Sequence, residues 1–290
     1  MGCFESREEV KPGVIKFISH EDYVKDLVEL KLVALDCSVD SFDGKTKAEE
    51  LYKFQRVTNA LYFNLNQFFD ATKKTHRTPT TDELKPVLKE LGLTVDTHVV
   101  CYDYKDGMPA CRAAFILSAM GFKEVRVLNC NFTHQYKKEA TEQKSAKLTA
   151  TAAAEIKLDM KFFATVEEVK KIAEGASSDQ LIDCRSETAF KKGTIPKAKH
   201  LDYTKVWSNH QIKESSEVIK AFKDAGIDIE KPMIFTGALA ATVGKAVADH
   251  LGFKSGKVFE MTFEEFKIAA EVKPVETKPV ETKPVEAAAK

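Results

Sequence analysis

Short apolar runs alternate with segments of helical periodicity along most of this chain. In the first half, the apolar runs cover residues 17–19, 32–37, 61–63, 98–102 and 125–128. Continuous apolar runs of this length are typical of strands that are buried on both faces of a sheet. Between them, apolar side chains recur at helical spacing in residues 20–30, 81–91 and 110–120, with Thr81 as the predicted N-cap of the second helix. The pattern predicts a parallel sheet with helices on its faces.

The second half of the chain repeats this order. Strands are predicted at residues 181–184, 233–235 and 257–259, and helices at residues 166–174, 217–225 and 240–251. Residues 40–53 and 187–203 show neither period and are predicted to be irregular. The chain is therefore predicted to be an α/β protein built from two similar domains.

Two strand–loop–helix segments occupy corresponding places in the two halves. One begins Val99-Val100-Cys101-Tyr102-Asp103 and the other begins Met233-Ile234-Phe235-Thr236, and Gly-Phe-Lys follows the helix in both, at residues 121–123 and 252–254. A helix N-terminus that follows such a loop favours an anion or a nucleophile. Asp103 and Thr236, which begin the two loops, are therefore the first positions to test for chemistry.

The chain divides into five predicted segments. Residues 13–136 and 157–270 form the two domains, and residues 137–156, rich in Lys, Glu, Ala and Thr, form a linker. Residues 1–12 precede the first domain. Residues 271–290 contain repeats of Lys-Pro-Val-Glu-Thr, which cannot form a regular helix or a core and predict an extended, disordered tail. The tail is interpreted as a spacer or a docking site, or more simply as a solvated tail without a specific partner.

The composition of the chain argues against several classes of function. The 44 Lys and Arg residues balance the 44 Asp and Glu residues, so no overall field favours a nucleic acid partner. The apolar runs are far shorter than a membrane span, and no secretion signal is recognisable. The six cysteines show no CxxC pair and no metal-binding spacing with histidine, so reduced, buried thiols in a cytoplasmic protein are expected, without a metal or cofactor.

The first residues carry a modification motif. Met1-Gly2-Cys3-Phe4-Glu5-Ser6 fits the M-G-x-x-x-S/T pattern for myristoylation of Gly2, and the adjacent Cys3 is a candidate for a palmitoyl chain. One acyl chain binds a membrane only marginally, whereas two anchor a protein stably. The motif predicts membrane association through Gly2 and Cys3, and the simpler alternative is an unmodified terminus.

Several motifs resemble those of the tandem rhodanese family, which comprises thiosulfate and 3-mercaptopyruvate sulfurtransferases. The motifs are Leu181-Ile182-Asp183-Cys184-Arg185-Ser186, similar to L-I/V-D-A-R-S; Phe190 with Gly193-Thr194-Ile195-Pro196-Lys197-Ala198, similar to F…G-H-I-P-G-A; Ala110-Cys111-Arg112, in place of A-P-R; and residues 259–266, similar to Y-D-G-S-W-x-E-W. The resemblance extends over residues 14–267. It implies two rhodanese-like domains, each a mostly parallel sheet flanked by helices, of which the first is non-catalytic.

The resemblance also implies where chemistry would occur, and the residues there depart from the family. In the family, a cysteine that becomes a persulfide begins a six-residue loop in the second domain, where backbone N–H groups and a helix N-terminus favour the thiolate. Here Thr236 holds that position, Gly237 follows it, and no basic residue is present in the loop. Leu239 replaces a loop glycine, so a turn that needs positive φ at that position is expected to be costly. In the first half, Asp103 would repel an anionic donor such as thiosulfate. These departures predict a loss of sulfur transfer.

Two interpretations of function follow. The first is a catalytically inactive tandem rhodanese that serves as a binding or regulatory module, with a small sulfur-containing anion as candidate ligand and no protein partner identified. The second is a divergent sulfurtransferase that uses another thiol such as Cys111, near the start of a helix, although a packed structural thiol is the simpler interpretation. Asp183 and Arg185 are candidate binding residues, with Arg185 either binding an anion or pairing with Asp183 or Glu187. His134, His200 and His210 show no metal or triad spacing.

Overall fold

The computed structural model describes residues 13–130 and 155–271, apart from residues 30, 31, 42, 58, 73, 74, 210 and 255. The acylation motif, most of the predicted linker and the repeat tail lie outside the described residues. Within them, no helix combines the length and apolar character needed to cross a membrane.

The N-terminal domain is built on a parallel sheet. Its elements in chain order are β1 (Ile15–Ser19), α1 (His20–Glu29), β2 (Val33–Asp36), α2 (Ala48–Phe54), β3 (Leu61–Tyr62), β4 (Phe69–Asp70), β5 (Thr75–His76), α3 (Thr81–Leu91), β6 (Val99–Tyr102), α4 (Met108–Ala119) and β7 (Val125–Asn129). The strand order is β1-β7-β6-β2-β3, and all neighbours in it are parallel. A small antiparallel pair, β4 and β5, lies outside this sheet.

The C-terminal domain repeats the architecture. Its elements are α5 (Val166–Glu174), β8 (Gln180–Asp183), α6 (Glu187–Lys192), β9 (Lys199–His200), β10 (Trp207–Ser208), β11 (Gln211–Ile212), α7 (Ser215–Asp224), β12 (Met233–Thr236), α8 (Leu239–His250), β13 (Lys257–Phe259) and α9 (Phe263–Glu271). The parallel sheet has the order β13-β12-β8-β9, which matches β7-β6-β2-β3 of the first domain. The predicted fold class, two α/β domains with parallel sheets and flanking helices, is confirmed.

The prediction was wrong in two segments that it left irregular. Helix α2 lies within residues 40–53 and extends to Phe54, and α6 lies within residues 187–203. Both are short, and between them they bury only Ala48 among their side chains, so they show no apolar stripe from which a helix could be predicted. Local contacts stabilise them instead, such as the ion pair between Lys53 and Glu49 in α2.

The N-cap of α3 is Thr80 rather than Thr81. The Thr80 hydroxyl accepts a hydrogen bond from the Glu83 N–H at 3.3 Å, and the Glu83 carboxylate accepts one from the Thr80 N–H at 2.8 Å. This reciprocal arrangement is a capping box. In a capping box the glutamate lies three residues after the cap, so the position of Glu83 identifies Thr80 as the N-cap.

Helices α4 and α8 form the centre of the contact between the domains. They are equivalent in the two domains, pack against each other, and are buried along nearly their whole length. One apolar cluster runs through both domains at this contact. Strand β1 adds polar contacts to the end of α8, where the Ile15 N–H donates to Asp249 Oδ2 and the Phe17 N–H donates to His250 Nδ1, both at 3.3 Å. The two halves therefore fold into one body with a shared core.

Candidate functional site

A pocket of about 480 Å³ opens where β12 runs into α8, at the contact between the domains. Its walls include Thr75 of the N-terminal domain and Asp183, Arg185, Thr236, Ala238 and Glu260 of the C-terminal domain. Thr236 and Asp183 are register partners at the carboxyl ends of neighbouring parallel strands. The topology thus brings together the loop start and the binding residues that the sequence had placed 53 positions apart in the chain.

Arg185 is held by Asp183. Its Nη2 donates to Asp183 Oδ2 at 2.6 Å, its Nε donates to Oδ1 at 3.0 Å, and its Nη2 also donates to the Gly193 carbonyl at 2.8 Å. Burial alone would raise the pKa of the Asp183 carboxyl, but the hydrogen bonds from Arg185 and from the Thr194 hydroxyl lower it. Of the two roles considered for Arg185, the structure shows the pairing with Asp183. A guanidinium so paired offers little net charge to an anionic sulfur donor.

The loop between β12 and α8 consists of Gly237 and Ala238 alone, and both have positive φ. Gly237 has φ +119°, and a Cβ there would lie 2.9 Å from Arg185 Cγ and 3.2 Å from the Arg185 backbone nitrogen. Ala238 has φ 55° and ψ −125°, a conformation that strains any residue with a Cβ. The expected cost at Leu239 does not arise, because Leu239 lies in the first turn of α8. The strain falls on Ala238 instead.

Substitutions at the two loop positions, Ala238→Gly and Gly237→Ala, are expected to change the free energy of unfolding in opposite directions. Ala238→Gly should raise the free energy of unfolding by about 1 kcal/mol, because glycine adopts this conformation without strain. Gly237→Ala should lower it by about 2 kcal/mol through the contact with Arg185. Urea unfolding measures both. As a control, the same exchange inside α8, Ala240→Gly, should be destabilising; a destabilising Ala238→Gly would contradict the strain at this position.

The Thr236 side chain faces the pocket but lacks the partners of a nucleophile. The residue is only 6% exposed, and its hydroxyl makes no hydrogen bond to the described residues. None of the described residues that line this pocket is a histidine or lysine, and its two carboxylates are paired, Asp183 with Arg185 and Glu260 with Arg112. A hydroxyl needs an adjacent base to act as a nucleophile, and no described group hydrogen-bonds the Thr236 hydroxyl. No described cysteine lines the pocket either.

In the N-terminal domain, Asp103 fills its own loop. Its Oδ1 accepts hydrogen bonds from the N–H groups of Lys105, Asp106 and Gly107 at 2.8, 3.1 and 3.1 Å, and its Oδ2 accepts one from Ala110 at 3.0 Å. These amides converge as they would on a bound anion. The carboxylate therefore does more than repel an external anion, since it already uses the donors that would bind one.

Cys111 is fully buried on α4, in the core that the domains share. Burial and the negative charge of Asp103 raise the pKa of its thiol well above the ordinary value. A reactive cysteine requires access and an electropositive environment, so this geometry disfavours Cys111 as a nucleophile. The strand-end cysteines are equally unsuitable, because burial raises the pKa of both Cys37 and Cys184.

Sequence reasoning missed a polar cluster that joins the domains beside the pocket. Arg112 Nη1 lies 2.7 Å from Glu260 Oε1, which also accepts a hydrogen bond from the Thr78 hydroxyl at 2.7 Å. Arg112 Nε donates to the His76 carbonyl at 2.9 Å. The A-P-R-like motif marked Arg112 as part of the family pattern, but nothing in one sequence pairs it with a glutamate of the other domain.

The histidines and acids offer no metal site within the described part of the chain. No group of three or more His, Cys, Asp or Glu residues is arranged there to hold a metal ion. His200 stacks on Phe190, with ring centroids 4.4 Å apart, and hydrogen-bonds the Arg185 carbonyl at 2.9 Å, which is a structural role. His134 and His210 lie outside the described residues.

The fold and the paired strand–loop–helix sites define a family. The model of the rhodanese-like domain matches residues 21–135 and again residues 165–269, and the chain belongs to the rhodanese-like domain family, with two copies of the domain. The mouse (Mus musculus) 3-mercaptopyruvate sulfurtransferase is 25% identical over 209 residues, which are 67% of this chain and 69% of the mouse protein. The chicken (Gallus gallus) thiosulfate sulfurtransferase is 26% identical over 65% of this chain and 70% of its own.

The fold also matches a solved structure of this family. The crystal structure of SseA from Escherichia coli, a 3-mercaptopyruvate sulfotransferase, superposes with a TM-score of 0.73. The match covers 85% of this chain and 98% of SseA at 19% identity. At this identity the likeness shows the tandem rhodanese fold.

Proposed function

We propose that this protein is a tandem rhodanese that does not transfer sulfur and acts as a binding or regulatory module. The observation that carries the proposal is Thr236 at the end of β12, where the family resemblance places the persulfide-forming cysteine. A hydroxyl cannot form a persulfide, and no thiol of the described residues lines the pocket in its place. Two further features support the same conclusion. Asp183 neutralises the charge of Arg185, and the Asp103 carboxylate occupies the amide donors of its own loop.

The ligand that fits the pocket is a small sulfur-containing anion bound without covalent chemistry. The N-terminus of α8 adjoins the pocket at Gly237 and Ala238. The helix dipole favours an anion there, although the Ala240 and Ala241 N–H groups already donate to the Gly237 and Ala238 carbonyls. The hydroxyls of Thr194, Thr236 and Thr262 also lie on its walls. Asp183 neutralises Arg185 and Glu260 also lines the pocket, so modest affinity is predicted.

Mass spectrometry of the intact protein tests the proposal. After incubation with thiosulfate or 3-mercaptopyruvate and removal of the donor, the mass is expected to be unchanged. A gain of about 32 Da, one sulfur atom, on a single cysteine-containing peptide would overturn the proposal and establish a persulfide. The alternative site at Cys111 would be identified by the same peptide map.

For the N-terminus, we propose acylation of Gly2 and Cys3 and, through it, association with membranes. The support is the motif in residues 1–6 together with the two-chain requirement for stable anchoring. In cells, wild type is expected in the membrane fraction, Gly2→Ala in the supernatant, and Cys3→Ser divided between the two. Equal distribution of wild type and Gly2→Ala would contradict the proposal.

A further inference from the structure

An apolar groove of about 850 Å³ lies between the domains, next to the candidate pocket. Its apolar lining is contributed by Leu158, Met160, Phe163, Val166, Phe259 and Met261. Met160 is 64% exposed and Met261 38% exposed, so the groove presents large apolar side chains to solvent. We refer to this surface as the interdomain groove.

The groove adjoins the entrance of the pocket. Glu260 and Met261 line both cavities. An occupant of the groove at Met261 would therefore lie beside the candidate pocket.

The chain leaves the described structure close to this groove. The last described helix, α9, ends at Glu271, and the Ala270 carbonyl accepts a hydrogen bond from Lys170 Nζ of α5 at 3.3 Å. Val166, which lines the groove, lies four residues before Lys170 on the same helix. Four residues of α-helix span about 6 Å, and the Lys170 side chain adds to that distance, so the chain reaches the groove within a few extended residues, about 3.3 Å each.

The sequence that continues from this exit has the chemistry of a groove ligand. Residues 272–290 contain Pro274-Val275, Pro279-Val280 and Pro284-Val285, spaced five residues apart. Proline-rich segments favour the extended polyproline conformation and bind grooves that aromatic side chains line. Phe163 supplies such a side chain here, whereas Phe259 also lines the groove but is only 2% exposed.

We propose that the Pro-Val repeats of residues 272–290 dock in the interdomain groove. Because the segment is tethered beside the groove, its effective concentration is of millimolar order, so a weak contact suffices to occupy the site. Three similar repeats offer alternative registers for the same contact. The inference does not depend on whether the pocket transfers sulfur.

Thiol labelling of the full chain tests the proposal. In a Cys3→Ser background, where the cysteines of the described residues are all buried, Met160→Cys places a single accessible thiol in the groove. Its rate of alkylation is compared between the native tail and a tail of equal length carrying Val275→Ser, Val280→Ser and Val285→Ser. Docking predicts labelling at least about threefold faster with the serine tail, because the thiol is then uncovered.

The matched control is Phe54→Cys on α2, at a residue that is 75% exposed and does not line the groove. Its labelling rate is expected to be the same with both tails. Equal rates for the two tails at position 160 would overturn the proposal. Protection at position 160 that disappears on dilution would overturn it as well, because the occupant would then be a second copy of the chain.

Discussion

Replacing Arg112 with methionine is expected to lower the free energy of unfolding by about 3 kcal/mol. Arg112 is 3% exposed and joins the Glu260 carboxylate of one domain to the His76 carbonyl and the Thr78 hydroxyl of the other. Methionine retains much of the apolar stem but leaves these acceptors without their donor. Removing one member of an ion pair leaves the other charge uncompensated, and solvent offsets only part of that cost here, because the Glu260 side chain is 31% exposed.

Denaturant unfolding of the full chain measures this loss. The control is Arg77→Met, which removes the exposed ion pair of Arg77 with Glu83 in the same region and is expected to change stability far less, because solvent screens such pairs. If the two variants lost equal stability, or if Arg112→Met unfolded like wild type, the cluster would not be a determinant of the domain contact.

Introducing the missing thiol at position 236 is expected to restore little sulfur transfer. Thr236→Cys is expected to turn over thiosulfate and 3-mercaptopyruvate at least about 100-fold more slowly than the mouse relative, because one missing stabilising group alone costs a factor of about 100 to 1,000. The variant restores the nucleophile, but Arg185 stays paired with Asp183 and Ala238 stays strained.

Initial rates with both donors, measured beside Thr236→Ser as a thiol-free control, decide the question. The serine variant is expected to show no turnover. Rates of Thr236→Cys close to those of the mouse enzyme would show that the loop is competent as it stands and that the residue at position 236 alone prevents the reaction.

The elements with a strong apolar pattern were predictable from the sequence. Helix α5 has the predicted bounds, and β6 and β12 lie where continuous apolar runs placed them. The structure then shows that Asp183 and the loop at Thr236 are neighbours, because parallel strands end at the same edge of a sheet. The apolar pattern predicts these helices and strands because they are determined by the burial of apolar side chains.

Features that depend on local geometry or on distant partners were not predictable. The positive φ of Ala238 follows from a two-residue connection between β12 and α8, whereas the sequence predicted a longer loop with its strain at Leu239. The pairing of Arg112 with Glu260 joins residues 148 positions apart. The sequence predicted that Asp103 disfavours an external anion, but the four backbone contacts of its carboxylate depend on the folded loop.

The central claim, that this tandem rhodanese has lost sulfur transfer, is tested most directly by a steady-state assay of the full chain. Thiosulfate and 3-mercaptopyruvate serve as donors and cyanide or a small thiol as acceptor, with the mouse 3-mercaptopyruvate sulfurtransferase as positive control. The structure predicts no turnover above the protein-free blank with either donor. Robust turnover that a single cysteine substitution such as Cys111→Ser abolishes would contradict the account.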